Sequence, residues 1–172
     1  SPMCKASSTL QALNLGKRDP EVVCREMVEA EMHLRFSCEL YELQRKRGDY
    51  FVHKHPASAT SWRCECVRRI MAIPGVIATV ADQCQYGLES VDKQGPGAAR
   101  KTTRFLTNSP QIAAELARRC PGDHRHVHLI GGRAAAAQKY PKDLREAICR
   151  GAAAQLRAKR PPQSRVAREA QE

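Results

Sequence analysis

Apolar residues recur at helical spacing along the first long patterned segment of the chain. Asp19-Pro20 predicts where this helix starts, because aspartate caps free N–H groups and proline suits the first helical position. Apolar side chains then follow every three or four residues until Gly48, a residue type that commonly ends helices. The pattern predicts a helix over about residues 20–47.

Shorter apolar runs between turn residues predict strands. Three runs rich in β-branched or aromatic residues have this form: Tyr50–His53, Gly75–Ala81 and Thr102–Thr107. Between the last two, Gly95-Pro96-Gly97 falls within residues 89–100 and predicts a flexible loop. His124–Leu129 alternates polar and apolar residues, which predicts an extended segment.

Further helices are predicted around and after these strands. Their periodic patterns cover residues 58–73, 110–119 and 140–159. Helices and strands alternate first, and two strands and two helices follow, which indicates an α/β fold. Residues 160–172 are rich in proline, glutamine and arginine, so we expect a disordered basic tail after a domain of residues 1–159.

Composition adds a strong positive charge to this picture. The 172 residues carry a formal net charge of +11 and have a pI near 9.6. Such a surface attracts polyanions, and nucleic acid is the commonest polyanionic partner. No apolar run approaches the roughly 20 residues that a membrane helix needs. We therefore expect a nucleic-acid partner and no membrane association.

The eight cysteines do not form a disulfide pattern. Their spacing is scattered and no secretory signal opens the sequence, so we expect reduced thiols in an intracellular protein, nuclear or cytoplasmic. The gap in Cys64-x-Cys66 is too short for a Cys-x-x-Cys redox or zinc motif. The first residue is Ser1, which suggests a fragment or a processed product of a larger polypeptide.

A cysteine and three histidines form the clearest candidate metal site. Cys120 is followed by His124, His126 and His128. In an extended chain the three imidazoles point the same way, and Cys120 completes a tetrahedral zinc set. The alternative is that these histidines contact phosphate or serve only the fold. His53 and His55 also share a strand face, where a structural role outweighs a two-ligand metal pair.

The stretch Ser1–Ser8 places Pro2, Cys4 and Ser8 at the spacing of the first proline, the cysteine and the serine in Pro-Pro-Cys-Gln-x-Phe-Ser. That motif is the catalytic loop of class I cytosine-C5 DNA methyltransferases, which this chain resembles. A helix and a strand follow in the family's order, and Lys54 stands where the family has a catalytic glutamate. Two later segments, Asp82–Gly87 and Arg100–Arg104, are similar to the family's later strands.

The resemblance implies a fold and a chemistry. The fold is the second half of a doubly wound, Rossmann-like sheet with flanking helices. Cys4 is then the nucleophile that adds to carbon 6 of cytosine, and Lys54 is an altered electrostatic partner. Arg100, Lys101 and Arg104 lie where the family meets DNA. S-adenosylmethionine is the implied methyl donor, although this chain lacks the Gly-rich half that holds the cofactor.

Two other functional classes stay open at the level of sequence. The absent cofactor half and the basic tail favour a non-catalytic nucleic-acid-binding segment of a larger polyprotein, such as that of a mobile element. The cluster that begins at Cys120 favours a metal-binding interaction module.

Overall fold

The computed structural model describes Ser7 and residues 15–159, so the predicted tail of residues 160–172 lies outside the described part. Five α-helices are present in that part: α1 (Pro20–Lys46), α2 (Glu65–Met71), α3 (Pro110–Glu115), α4 (Arg133–Ala136) and α5 (Lys142–Lys159). Five strands accompany them: β1 (Val52–Pro56), β2 (Ile77–Asp82), β3 (Glu89–Asp92), β4 (Gly95–Ala98) and β5 (Thr102–Thr107). The predicted α/β class is confirmed. None of the described helices has the length and apolar character needed to cross a membrane.

Strand β5 is the centre of a three-stranded sheet with the order β1-β5-β2. It pairs antiparallel with both neighbours, so Phe105 lies opposite Lys54 on one side and Thr79 on the other. The described strands thus do not form the parallel, doubly wound sheet that the family resemblance implies. The apolar pattern of a short strand indicates burial, but it does not encode the direction of its partner.

The second sheet is a hairpin where the sequence predicts a flexible loop. Strands β3 and β4 pair antiparallel, with Asp92 opposite Gly95. The guanidinium of Arg125 donates to both carboxylate oxygens of Asp92, at 3.0 and 2.8 Å, and to the carbonyls of Gly95 and Pro96. This side chain is 30 residues away in sequence from Gly95, so local propensity could not reveal the hairpin.

Helix α1 follows its sequence signals closely, which confirms that prediction. The Asp19 carboxylate accepts a hydrogen bond from the N–H of Glu21 at 2.9 Å, and Pro20 is the first helical residue. Gly48 adopts φ 73° just beyond the helix, in the left-handed region that favours glycine. The Nζ of Lys159 donates to the Gly48 carbonyl at 2.6 Å, which ties the end of α5 to the end of α1.

Helices cover both faces of the three-stranded sheet. On one face, Leu106 packs with Leu34 and Cys38 of α1 and with Val67 and Ile70 of α2. On the other face, β5 packs against α3 and α5 through a second cluster. That cluster contains Ala81, Tyr86, Phe105, Ile112, Leu116, Leu144 and Ala147. The sheet is therefore the middle of three layers, with an apolar core on each side.

Close approach of α3 and α5 depends on a glycine. A Cβ placed on Gly151 would lie 2.7 Å from the Cα of Ile112, closer than two carbon atoms pack without strain. The absence of a side chain at this position lets the two helices meet at backbone distance.

His53 and His55 lie on the face of β1 that meets α1 and α2, with 1% of each side chain exposed. The Tyr41 hydroxyl lies 3.0 Å from Nδ1 of His53, while Nε2 of His53 has no hydrogen-bond partner among the described residues. Burial, and then the positive charges of His55 and Lys54, lower the pKa of His53 to about 3. His53 is therefore neutral in the folded protein at physiological pH.

The low pKa of His53 predicts a pH-dependent stability. Between pH 6.5 and pH 3 the unfolded chain binds a proton at His53 and the folded chain does not. Stability therefore falls as pH drops below 6.5. We expect up to about 2 kcal/mol less free energy of unfolding at pH 5 than at pH 7, with the loss smaller in His53→Gln. Urea unfolding at both pH values measures this. The control is His33→Gln, at an exposed position of α1. If the two variants lost the same free energy of unfolding between pH 7 and pH 5, the assignment of this pH dependence to His53 would be contradicted.

Candidate metal centre

Four side chains with metal-binding atoms converge where β2 and β5 meet the segment after α3. They are Cys84, Cys120, His124 and His126. Their ligand atoms all lie within 4.8 Å of one another. It is the one such group of cysteine, histidine or acidic residues in the described part of the chain.

Two distances within the group match those around a single tetrahedral ion. Sγ of Cys120 lies 3.7 Å from Nε2 of His124 and 3.4 Å from Nε2 of His126. Zinc–sulfur and zinc–nitrogen bond lengths at a tetrahedral angle place sulfur and nitrogen about 3.6 Å apart. The two imidazole centroids are 4.5 Å apart, so both rings face the same space.

Cys84 is presented by a short 3-10 turn, Gln83–Tyr86, directly after β2. The turn is fixed on both sides of the cysteine. The N–H of Gln83 donates to the Lys101 carbonyl at 3.2 Å, and Gly87 ends the turn with φ 76°. Buried Tyr86 anchors it further, since its hydroxyl donates to the Glu115 carbonyl at 2.8 Å.

Cys120 is positioned by the buried carboxylate of Asp82. The N–H of Cys120 donates to Oδ2 of Asp82 at 3.0 Å, while the Thr102 hydroxyl donates to Oδ1 at 2.6 Å. Arg119 lies 2.9 Å and Arg100 3.5 Å from the same carboxylate, which has 0% exposure. Burial alone would raise the pKa of Asp82, but the hydrogen bonds from Thr102, Cys120 and Arg119 outweigh it and lower the pKa to about 2.

The two histidines lie on an irregular segment that meets the small hairpin. His126 forms an isolated bridge with Ala98, and the next N–H, of Val127, donates to the Ala98 carbonyl at 2.8 Å. Nδ1 of His124 lies 2.8 Å from the Asp123 carboxylate. A carboxylate at the far nitrogen fixes the tautomer that leaves Nε2 as a metal ligand.

Burial and neighbouring groups favour the neutral forms of two of these side chains. Burial, and then the neighbouring Cys120 thiol, raise the pKa of Cys84 to about 11. Burial, and then the positive charges of His124 and Arg100, lower the pKa of His126. Both shifts favour neutral groups when no ion is present. A bound divalent cation reverses this balance for the thiols, because a metal-ligating thiol is deprotonated.

The structure brings together three of the four residues that the sequence indicated as metal ligands. His128 lies outside the group, exposed, and its carbonyl accepts a hydrogen bond from Arg133. Cys84 completes the group instead. It lies 36 positions before Cys120, and no ligand spacing in the sequence connects the two.

The residues that the resemblance singled out lie in different surroundings. Lys54 is buried on the opposite face of β1 from His53, with Nζ 4.7 Å from the centre of the Tyr140 ring. Cys4 lies outside the described residues.

The three predicted DNA contacts also differ from one another. Arg100 is 47% exposed beside Asp82, and Arg104 lies with its guanidinium carbon 5.2 Å from the centre of the Trp62 ring. Lys101 donates to the Ala137 carbonyl at 2.5 Å. Of the three, Arg100 is exposed, whereas Lys101 and Arg104 are half-buried.

Comparison of the chain with family models, with characterised proteins and with solved structures finds no match.

Replacing Asp82 tests whether its carboxylate organises the site. Asp82→Asn keeps the shape of the side chain but replaces one carboxylate oxygen, which accepts hydrogen bonds, with an NH₂ group, which cannot accept them. We expect the free energy of unfolding of the metal-free protein to fall by about 1–3 kcal/mol. Urea unfolding in the presence of a chelator measures it. The control is Glu89→Gln at the exposed start of β3. An Asp82→Asn protein as stable as that control would show that the carboxylate has no such role.

Proposed function

We propose that this chain is a zinc-binding module, in which Cys84, Cys120, His124 and His126 hold one ion. The observation that carries the proposal is the convergence of the four ligand atoms within 4.8 Å. Two thiolates and two imidazoles are a common ligand set for structural zinc. The hard cations Ca²⁺ and Mg²⁺ prefer oxygen ligands, and none of these four residues supplies one.

The ligand count supports a structural role for the ion. Catalytic zinc sites keep one position open for water or substrate, whereas four protein ligands fill a tetrahedral ion. The ion would join the turn after β2 to residues 116–132, which contain no helix or strand in the structure. The ion would add to the contacts that already join this segment to the strands, among them the hydrogen bonds from Cys120 to Asp82 and from Val127 to Ala98.

Metal analysis and ligand variants test this proposal. We expect the purified protein to contain one zinc per chain by elemental analysis. Tetrahedral Co²⁺ substituted for zinc should give the intense visible absorption of thiolate coordination. Cys84→Ala and His126→Ala should each lose the stoichiometric metal, because three protein ligands bind zinc more weakly than four. The thermal midpoint should also fall when a chelator removes the ion, since binding stabilises only the folded state.

Two variants serve as matched controls for those losses. Cys149→Ala removes an exposed thiol of α5, and His128→Ala removes the histidine that lies outside the group. Both should keep one zinc per chain. The proposal fails if Cys84→Ala retains zinc while His128→Ala loses it, or if the folded wild type binds no zinc when the metal is in excess.

We also propose contact with nucleic acid at the arginines beside this centre. Arg100 and Arg119 both contact the Asp82 carboxylate, so two positive charges share one negative charge and one positive charge is in excess. About half of each arginine side chain is exposed. Arg104 is two residues beyond Thr102 on the same face of β5, stacked on Trp62. Planar guanidinium groups with free edges suit phosphate oxygens. The net charge of +11 adds long-range attraction to a polyanion.

Salt-dependent binding tests the nucleic-acid proposal separately from zinc. Fluorescence anisotropy with labelled DNA and RNA oligonucleotides should show affinity that falls steeply with salt. Arg104→Gln should weaken binding and reduce the slope against log salt by about 1. Arg68→Gln, which removes an exposed charge from α2, is the control. Equal effects of the two variants would point to general attraction by net charge and would contradict a phosphate contact at Arg104.

We do not extend the proposal to methyl transfer. The resemblance to cytosine-C5 methyltransferases depends most on Cys4, which lies outside the described residues. Lys54, its implied partner, is buried beside Tyr140. The described strands pair antiparallel, unlike the parallel sheet that the resemblance implies. Methyltransferase ancestry and a Rossmann-like origin therefore remain predictions of the sequence.

A further inference from the structure

A line of large apolar side chains runs along the outward face of α1. Each of five residues has 42–66% of its surface exposed to solvent. They are Val28, Met32, Phe36, Leu40 and Leu43. Their spacing of four, four, four and three residues keeps them on one side of the helix, and we call this line the α1 stripe.

The α1 stripe is the opposite face of the helix from the core. The buried positions Leu34 and Cys38 pack against α2 and the sheet, together with half-buried Tyr41. Among the described residues, no apolar cluster includes a member of the stripe. A helix that is apolar on two opposite faces needs a partner on the second, because contiguous exposed apolar surface of this kind typically marks an interaction site.

The charges around the stripe identify a second copy of the same helix as a suitable partner. Near the N-terminal end the exposed charges on the side of the stripe are Glu21, Arg25 and Glu29, with a net charge of −1. Exposed Lys46 and Arg47, with a net charge of +2, flank the C-terminal end. In an antiparallel pair, the end with net negative charge in each copy, which contains Glu29, lies near the basic end of the other copy. In a parallel pair, acid faces acid and base faces base. The charge pattern therefore favours antiparallel pairing of two copies.

The same arrangement also suits the apolar residues. Phe36 is at the centre of the stripe, so the two-fold axis of an antiparallel pair passes close to it and each Met32 lies near Leu40 of the other copy. The stripe extends about 22 Å, from fifteen helical rises of 1.5 Å each. One helix pair of this length buries less than the roughly 1,600 Å² of a standard interface. The association is therefore expected to be weak and reversible.

We propose that two copies of this chain form an antiparallel dimer through the α1 stripe. The proposal does not depend on zinc or on nucleic acid, because the stripe is on an exposed face of α1 and shares no residue with the metal centre. Dimerisation would place two basic surfaces in one assembly, which increases the effective concentration of one when the other is bound to a polyanion.

Sedimentation analysis of the whole chain tests the dimer. The wild type should show a concentration-dependent dimer, with a dissociation constant on the order of micromolar to hundreds of micromolar, as expected for a small interface. Phe36→Glu should weaken dimerisation at least 10-fold while circular dichroism stays unchanged, because Phe36 is 56% exposed and outside the core. The control Ile130→Glu alters a residue that is 61% exposed and distant in sequence from α1, and it should dimerise as the wild type does.

Charge reversal tests the orientation of the two helices. Glu29→Lys and Lys46→Glu should each weaken the dimer, and the two changes combined in one chain should restore it, because each pair then regains opposite signs. A parallel dimer would give no such rescue.

Three results would overturn the proposal. The first is a monomer at the highest soluble concentration of the wild type. The second is a dimer that Phe36→Glu leaves intact, which assigns the contact to another surface. The third is a monomer whose stripe is protected from hydrogen exchange only in the presence of a different protein, which assigns the stripe to a heterologous partner.

Discussion

The carboxylate of Asp82 connects the elements on which the rest of this structure depends. It ends β2, accepts a hydrogen bond from Thr102 at the start of β5, and accepts another from the backbone of Cys120. Because the carboxylate is completely buried, each of these donors must be in place for the charge to be tolerated there. The sheet edge and the irregular segment that carries the metal ligands are therefore fixed by the same group.

The central position of β5 explains how two separate cores can support one site. Leu106 faces the core that contains α1 and α2, and Phe105 faces the core that contains α3 and α5. Successive residues of β5 therefore pack into the apolar cores on opposite faces of the sheet. The candidate metal centre lies beyond the start of this strand, where a small hairpin and the turn after β2 bring in residues distant in sequence.

Helix α1 carries two apolar faces with different roles. One face, with Leu34, completes a core. The other, with Phe36 at its centre, is exposed and is proposed as a dimer contact. Self-association is therefore assigned to a different surface from the metal centre and the arginines beside it, so variants of α1 can remove it independently.

The sequence by itself determined the elements whose signals are local. Capping at Asp19-Pro20 defined the start of α1, the apolar run defined β5 at Thr102–Thr107, and the close spacing of Cys120, His124 and His126 indicated a metal site. Strand direction, the β3–β4 hairpin and the fourth ligand, Cys84, were decided only by the tertiary structure. These depend on contacts between residues 20 or more positions apart, such as β2 with β5 and Arg125 with the hairpin turn, and a local pattern carries no information about them.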